Sequence, residues 1–184
     1  MARKSVTNLS DQEIIMLVLS GQKEQYKELV RRYQDKIYRY TTYLIGSSEL
    51  AQDATQSAFI KVYINLNGYD NAYKFSSWLY RIAHNEAISL VRKEKHFSTA
   101  DLTDLPEIVT DEPQHLDQLT SKEDREQLFQ ALQEIPADQR EALLLYYLEG
   151  KSYEEIAEIM CTNKNNVGSR ISRAKKKVAK ILKD

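Results

Sequence analysis

The stretch from Gly150 to Leu182, GKSYEEIAEIMCTNKNNVGSRISRAKKKVAKIL, constrains this chain more than any other. It prescribes two helices across a short turn. Gly150 suits the left-handed conformation that closes a preceding helix. Ser152 and Glu155 make an S-x-x-E capping box that opens the next one. Ile156, Ile159 and Met160 share the face that a core would bury. Cys161-Thr162-Asn163 is a short turn, with Thr162 or Asn163 as N-cap of the second helix. Val167, Ile171, Ala174, Val178 and Ile181 then recur in helical steps as one apolar stripe, while Arg170, Arg173, Lys177 and Lys180 follow another face. From Lys164 onward eight Lys/Arg face one acid, Asp184. A basic helix presented by a short turn fits the major groove. The plainer alternative is an amphipathic core helix with a solvated basic face.

The rest of the chain is also patterned for helices. Five Gly, three Pro and 42% hydrophobic residues in 184, with almost no period-two alternation, exclude a disordered or β-rich chain. The net charge of −1 does not mark a nucleic-acid binder, but its distribution does. Residues 1–95 carry 14 basic and 10 acidic groups, residues 96–120 none and six, and residues 121–184 twelve and eleven. Such segregation turns one face toward phosphates while an acidic strap stays off it. A single cysteine, Cys161, excludes an internal disulfide and fits a reducing compartment. The apolar run Ile14 to Leu19 is too short for a membrane span, so a cytoplasmic protein without membrane insertion is expected.

Taken in order, Ser10 and Glu13 cap a short helix to Leu19. A long helix is expected from Lys23 to Ile45, with Tyr26, Leu29, Val30, Tyr33, Ile37, Tyr40 and Leu44 as its stripe and Gly46 as its stop. A third runs from about Ser48 to Leu66, and Asn67-Gly68 breaks it. A loop, Tyr69 to Phe75, precedes a fourth helix capped by Ser76 or Ser77 and reaching about Lys93. Residues 96–120 hold two of the prolines and no apolar period, which reads as an acidic flexible linker. The second domain spans 121–184. Leu128, Phe129, Leu132 and Ile135 line one helix, Pro136 starts a new element, and a helix from Arg140 to Leu148 leads into the helix-turn-helix. The fold class is therefore all-α: two small helical domains, 1–95 and 121–184, joined by that linker.

Catalytic chemistry finds little footing. His84, His96 and His115 are far apart, with no ligand spacing around them, and no Gly-rich phosphate loop or nucleophile elbow occurs. Glu49 and Asp53 are i,i+4 acids, a pattern that usually belongs to a solvated helix face. No enzyme, cofactor or metal site is expected. Between Tyr63 and Arg92, by contrast, Tyr63, Tyr69, Tyr73, Phe75, Trp78 and Tyr80 interleave with Lys61, Lys74, Arg81, Arg92 and Lys93. Aromatic faces stack on unpaired bases while cations follow phosphates. Trp78 and Phe75 also suit plain core positions.

Two blocks carry a resemblance. Residues 53–91 contain W-L-Y-R-I-A-H-N and resemble region 2 of bacterial extracytoplasmic-function (ECF) sigma factors of the sigma-70 family. Residues 135–177 contain S-Y-E-E-I-A and S-R-I-S-R-A and resemble their region 4. The resemblance implies a dissociable RNA polymerase subunit that directs core polymerase to promoters and helps open the DNA. It implies a first domain that docks on the β′ clamp and opens the −10 element, and a second that reads the −35 element and touches the β flap. Asp53, Gln56, Phe59, Ile60 and Tyr63 match the clamp-binding helix. Tyr69, Asp70, Asn71, Ala72, Tyr73, Lys74 and Phe75, with Asn85, match the −10 loop and helix that hold a flipped base. Asn166, Gly168, Ser169, Arg170, Ser172, Arg173, Lys176 and Lys177 fall on the −35 recognition helix. An anti-sigma factor is a further partner the family allows. The chain departs from the family pattern at Ser57, Ser89, Asp70-Asn71, Cys161, Asn165-Asn166 and Gly168. On residues alone, a stand-alone helix-turn-helix regulator and a polymerase-docking adaptor stay open as alternatives.

Overall fold

The computed structural model describes residues 8–97 and 122–183, and every regular element among them is a helix. Helix α1 (Asp11–Leu19) opens on the expected capping box: the Ser10 hydroxyl accepts from the Glu13 N–H, and the Glu13 carboxylate accepts from the Ser10 N–H. Residues Lys23–Gln25 wind as a 3₁₀ turn, so the long helix α2 (Tyr26–Ile45) starts three residues later than its stripe predicts. Helix α3 (Ser48–Ile64) is capped by Ser47 and ends before Leu66. Leu66–Gly68 forms a second 3₁₀ turn that tucks Leu66 into the core at 2% exposure. Helix α4 (Phe75–Phe97) begins ahead of the serines expected to cap it. Trp78 N–H already donates to the Lys74 carbonyl, and Ser77 is buried inside the first turn. The helix runs past Lys93 and two residues into the expected linker; the remainder of 96–120 lies outside the described residues.

In the first domain α3 packs between α2 and α4, and its Ala51, Ala54 and Ala58 are fully buried, which lets the three helices approach closely. Thr41 and Thr55 meet at 3.0 Å in this seam, and their hydroxyls also reach the carbonyls of Ile37 and Ala51. The hydroxyls of this seam are thus satisfied locally, whereas Thr42 Oγ1 and Ser77 Oγ are buried nearby without a hydrogen-bond partner among the described residues. The second domain holds α5 (Lys122–Gln133), α6 (Ala137–Tyr147), α7 (Tyr153–Ile159) and α8 (Lys164–Ile181). Gly150 takes φ 60, and the capping box of Ser152 and Glu155 opens α7 as expected. Leu132, Leu145, Ile156, Ile159, Val167 and Ile171 form its core.

The two domains are docked, which the sequence did not announce. The ends of α2 and the start of α4 meet α5, α6 and α7. Tyr43 packs its ring against Phe129 at 5.5 Å, and Gln133 Nε2 donates to the Tyr43 carbonyl at 2.9 Å, capping the end of α2. Gly46 serves twice here: it takes φ 86, and a Cβ would stand 2.7 Å from Gln133 Oε1.

Candidate nucleic-acid interface

Helix α8 is built with two faces. The Asn163 side chain caps it by accepting from the Asn166 N–H at 2.9 Å. Val167, Ile171, Ala174 and Val178 are buried, which fixes α8 on the domain core. Ser169, Ser172, Arg173, Lys176 and Lys177 then face solvent together, and Asn166 is exposed in the first turn. Two of the residues expected on this reading face point elsewhere. Arg170 Nε pairs with Asp138 Oδ2 of α6 at 3.1 Å, so it braces α8 against its neighbour. Gly168 lies under Tyr153, where a Cβ would sit 3.4 Å from the ring. Beside the helix, Tyr146 touches Tyr147 and Tyr153, and Lys175 Nζ stands 5.4 Å over the Tyr147 ring. This aromatic corner was not singled out from the sequence, although Tyr146, Tyr147 and Tyr153 flank Gly150 and mark it there.

The loop before α4 is pre-formed by its own hydrogen bonds. Tyr69 Oη donates to the Tyr73 carbonyl at 2.6 Å, and Asp70 Oδ1 accepts from the Ala72 N–H at 2.9 Å. Asn71, Ala72 and Tyr73 stand exposed, Tyr73 at 53%. Lys74 Nζ is paired with Glu155 Oε1 of α7 at 3.0 Å. Phe75 is 3% exposed, with Tyr33, Tyr69 and Trp78 packed around its ring. It is the floor of the loop, and its face is not open to a base. Tyr69 leans on Trp78 at 5.3 Å. Asn85 is exposed on α4, where Lys61, Asn65, Trp78, Arg81 and Glu86 line a recess with it. Lys61 and Glu86 close one side as an ion pair at 2.5 Å. Arg81 and Trp78 join this recess because Trp78, Arg81, Ile82 and Asn85 are spaced in helical steps of three and four along one face of α4.

On α3, Asp53, Gln56, Ile60 and Tyr63 are exposed while Phe59 is buried. Gln56, Phe59 and Ile60 form one wall of a shallow groove whose other wall is Val30, Gln34 and Tyr38 of α2. Tyr63 extends it by packing on Tyr26 at 5.0 Å. Asp53 is on the same helix but not in the wall of the groove. Tyr26 anchors the groove: its hydroxyl donates to the Phe59 carbonyl at 2.7 Å, and burial pushes its pKa well up, so it stays a neutral donor. Ile64, at 68% exposure, adds apolar surface at the end of α3. No group of three His, Cys, Asp or Glu that could hold a metal occurs among the described residues. None of their helices is long and apolar enough to cross a membrane.

A basic helix presented by a turn, an aromatic loop in a separate helical domain and an apolar groove beside it define a two-domain, helix-turn-helix transcription protein. The family model for Sigma-70 region 2 matches residues 29–97, and that for Sigma-70, region 4 matches residues 125–178. The ECF RNA polymerase sigma factor SigW of Bacillus subtilis is 33% identical, over 92% of this chain and 95% of its own. The RNA polymerase sigma-H factor of Pseudomonas aeruginosa is 34% identical over 96% of both chains. The ECF RNA polymerase sigma-E factor of Escherichia coli (strain K12) is 34% identical over 92% and 93%. Among solved structures, the sigma factor RpoE in complex with the anti-sigma factor NepR from Bartonella quintana superposes with a TM-score of 0.71 at 25% identity, over 87% of this chain and 98% of that one. CnrH in complex with the cytosolic domain of CnrY shares the fold, with a TM-score of 0.71 at 21% identity over 94% and 97%. The chain belongs to the sigma-70 family, as an ECF RNA polymerase sigma factor, and acts in promoter-directed transcription initiation.

Proposed function

We propose that this chain binds core RNA polymerase in the cytoplasm as a non-catalytic subunit and reads promoter DNA through both domains. The β′ clamp takes the groove between α2 and α3, with Gln56, Phe59, Ile60 and Tyr63 as its walls. The loop of residues 69–75 with Asn85 takes an unpaired base of the −10 element, Tyr69 and Tyr73 offering ring faces and Asn71 and Asn85 offering polar edges. Phe75 supports this loop from below. The exposed face of α8 reads the −35 element in the major groove, and the second domain also meets the β flap. The observation that carries the reading is the segregation on α8: four apolar residues are buried, and Ser169, Ser172, Arg173, Lys176 and Lys177 are left together in solvent. Arg170, held by Asp138, and Gly168, under Tyr153, act as supports for that face. The complex of the RpoE relative with an anti-sigma factor supports a protein inhibitor for this chain as well.

The test is run-off transcription by core polymerase on a library of promoters, with and without this chain. Chain-dependent initiation from a defined pair of −35 and −10 sequences is the expected result. Tight sequence-specific duplex binding by the chain alone, with no effect on core polymerase, would make it a stand-alone regulator instead.

A further inference from the structure

Helix α1 spends its apolar face on the core of the first domain, where Ile14, Ile15 and Val18 are buried. Its polar first turn meets the loop of residues 69–75. Gln12 Nε2 donates to the Asn71 carbonyl at 3.5 Å, and the same side chain is hydrogen-bonded to the Tyr69 hydroxyl. Asp11 works one layer below. Its Oδ2 accepts from the Tyr33 hydroxyl at 2.5 Å, and the Tyr33 ring stands edge-on to Phe75 at 5.7 Å. Phe75 in turn packs edge-on against Tyr69 at 5.7 Å. Burial, then the hydrogen bond to Asp11, pushes the Tyr33 pKa up, so Tyr33 keeps its proton as the donor. The turn is itself tied to α2. Arg32 donates to Asp11 Oδ1 at 2.9 Å and to the Leu9 carbonyl at 2.7 Å, and Glu28 holds the same guanidinium at 2.9 Å.

We infer that Gln12 is a positioning residue for −10 recognition, and that the first turn of α1 is a brace holding the loop in its base-receiving shape, a role that rests on the −10 reading proposed above. The bonds from Tyr69 to Tyr73 and from Ala72 to Asp70 join loop residues to one another. They close the turn but leave it able to tilt as a unit. Gln12 supplies a hold from outside, 59 positions away in the chain. It grips the backbone of Asn71, and so sets the direction in which that exposed side chain leaves the loop. It also fixes the Tyr69 hydroxyl from a second side, since that oxygen accepts from Gln12 while donating to the Tyr73 carbonyl. The ring of Tyr69 and the polar edge of Asn71 are thereby oriented before a base arrives. A loop ordered on folding does not have to be ordered again on binding, which raises affinity and sharpens discrimination.

The experiment compares the parent with Gln12→Glu, which keeps the length of the side chain and removes its donors, and with Gln12→Met, which removes them without adding charge. Gln12 is exposed, so both variants should keep the parent melting temperature and affinity for core polymerase. Amide exchange in the free full chain reads the brace with no DNA present. Both variants should speed exchange at Ala72 and Tyr73, whose N–H groups donate to the Asp70 side chain and carbonyl. In complex with core polymerase, both should lose about tenfold in affinity for a single-stranded −10 oligonucleotide. They should also narrow the spread of affinities when each base is placed in turn at the flipped position, which general damage to the fold would not do. Parent-like exchange in both variants overturns the brace. Effects confined to Gln12→Glu assign them to charge and overturn it as well. Faster exchange with full affinity and base preference overturns the positioning role. A parent complex with no base preference anywhere in the oligonucleotide removes the −10 reading, and exchange alone then decides the brace.

Discussion

Arg173 and Lys177 share the exposed face of α8, yet their chemistry sets them apart. A guanidinium reads the edge of guanine bidentately, while an ammonium acts as a point charge on phosphate. Arg173→Ala is expected to cost about 1–3 kcal/mol on promoters with the matching base pair and little on others, by transcription with core polymerase across a −35 library. Lys177→Ala should weaken every promoter alike and flatten the salt dependence. Equal losses on all promoters for both variants would remove Arg173 from base readout. In the first domain Glu28 is buried on α2 and takes Arg31 at 2.8 Å and Arg32 at 2.9 Å. The hydrogen bond from Arg31, helped by Arg32, lowers its pKa from 4.5 to about 2. The folded pKa lies below the unfolded one, so the stabilisation is complete above about pH 4.5 and fades as the pH falls toward 2. Arg31 is largely in solvent, so screening reduces what its bond contributes to stability. Glu28→Gln should cost about 2 kcal/mol in urea unfolding at pH 7, and the difference from the parent should shrink steadily below pH 4. A constant difference across that range would show that charge plays no part.

Among the elements, the loop of residues 69–75 has a function separable from its fold. Its turn is set by Asp70 and by the Tyr69–Tyr73 bond, and its base is Phe75 in the core. Flipping a base costs a few kcal/mol, and stacking returns roughly 1–3 kcal/mol per base. The double change Tyr73→Ala with Asn71→Ala removes exposed side chains and keeps the Tyr69 bond that sets the turn, so it is expected to leave polymerase binding and closed-complex formation near the parent level and to abolish initiation on duplex promoters. A template with a pre-opened −10 bubble should recover part of the loss, because its bases are already unpaired. Full activity on duplex templates would reduce the loop to a connector. The recognition helix needs no such rearrangement. Its cap on Asn163 and its buried stripe fix its register locally, so its exposed face is the same whether the domains are docked or apart.

For the whole molecule, docking sets the size in solution. A compact chain of 184 residues has a radius of gyration of roughly 16 Å. Small-angle scattering of the free chain should fall near that value. It should change little with added salt, since the pairs at Glu141 and Glu149 are buried, while Lys74–Glu155 lies open to screening. A much larger radius in dilute buffer would mean that the domains part spontaneously.

The helices were legible in the sequence because their causes are local. Both capping boxes, the left-handed Gly150, the Asn163 turn and the apolar stripes each act within a few residues, and each formed where the residues placed it. The two family blocks were equally legible, since their motifs are short runs of specific residues. Element ends were less so: the tight winding at Lys23–Gln25 and Leu66–Gly68 and the early start of α4 depend on what each turn packs against. Orientation on α8 was only half visible. Periodicity separated its buried stripe from its basic face, but Asp138 and Tyr153, which claim Arg170 and Gly168, come from other helices. The docking of the domains was decided by tertiary structure alone. It pairs Tyr40 with Glu141, Arg39 with Glu149 and His84 with Glu141, across 101, 110 and 57 positions. In the sequence these glutamates resemble any solvated charge on a helix. Only the facing domain supplies the donors that make it possible to bury them.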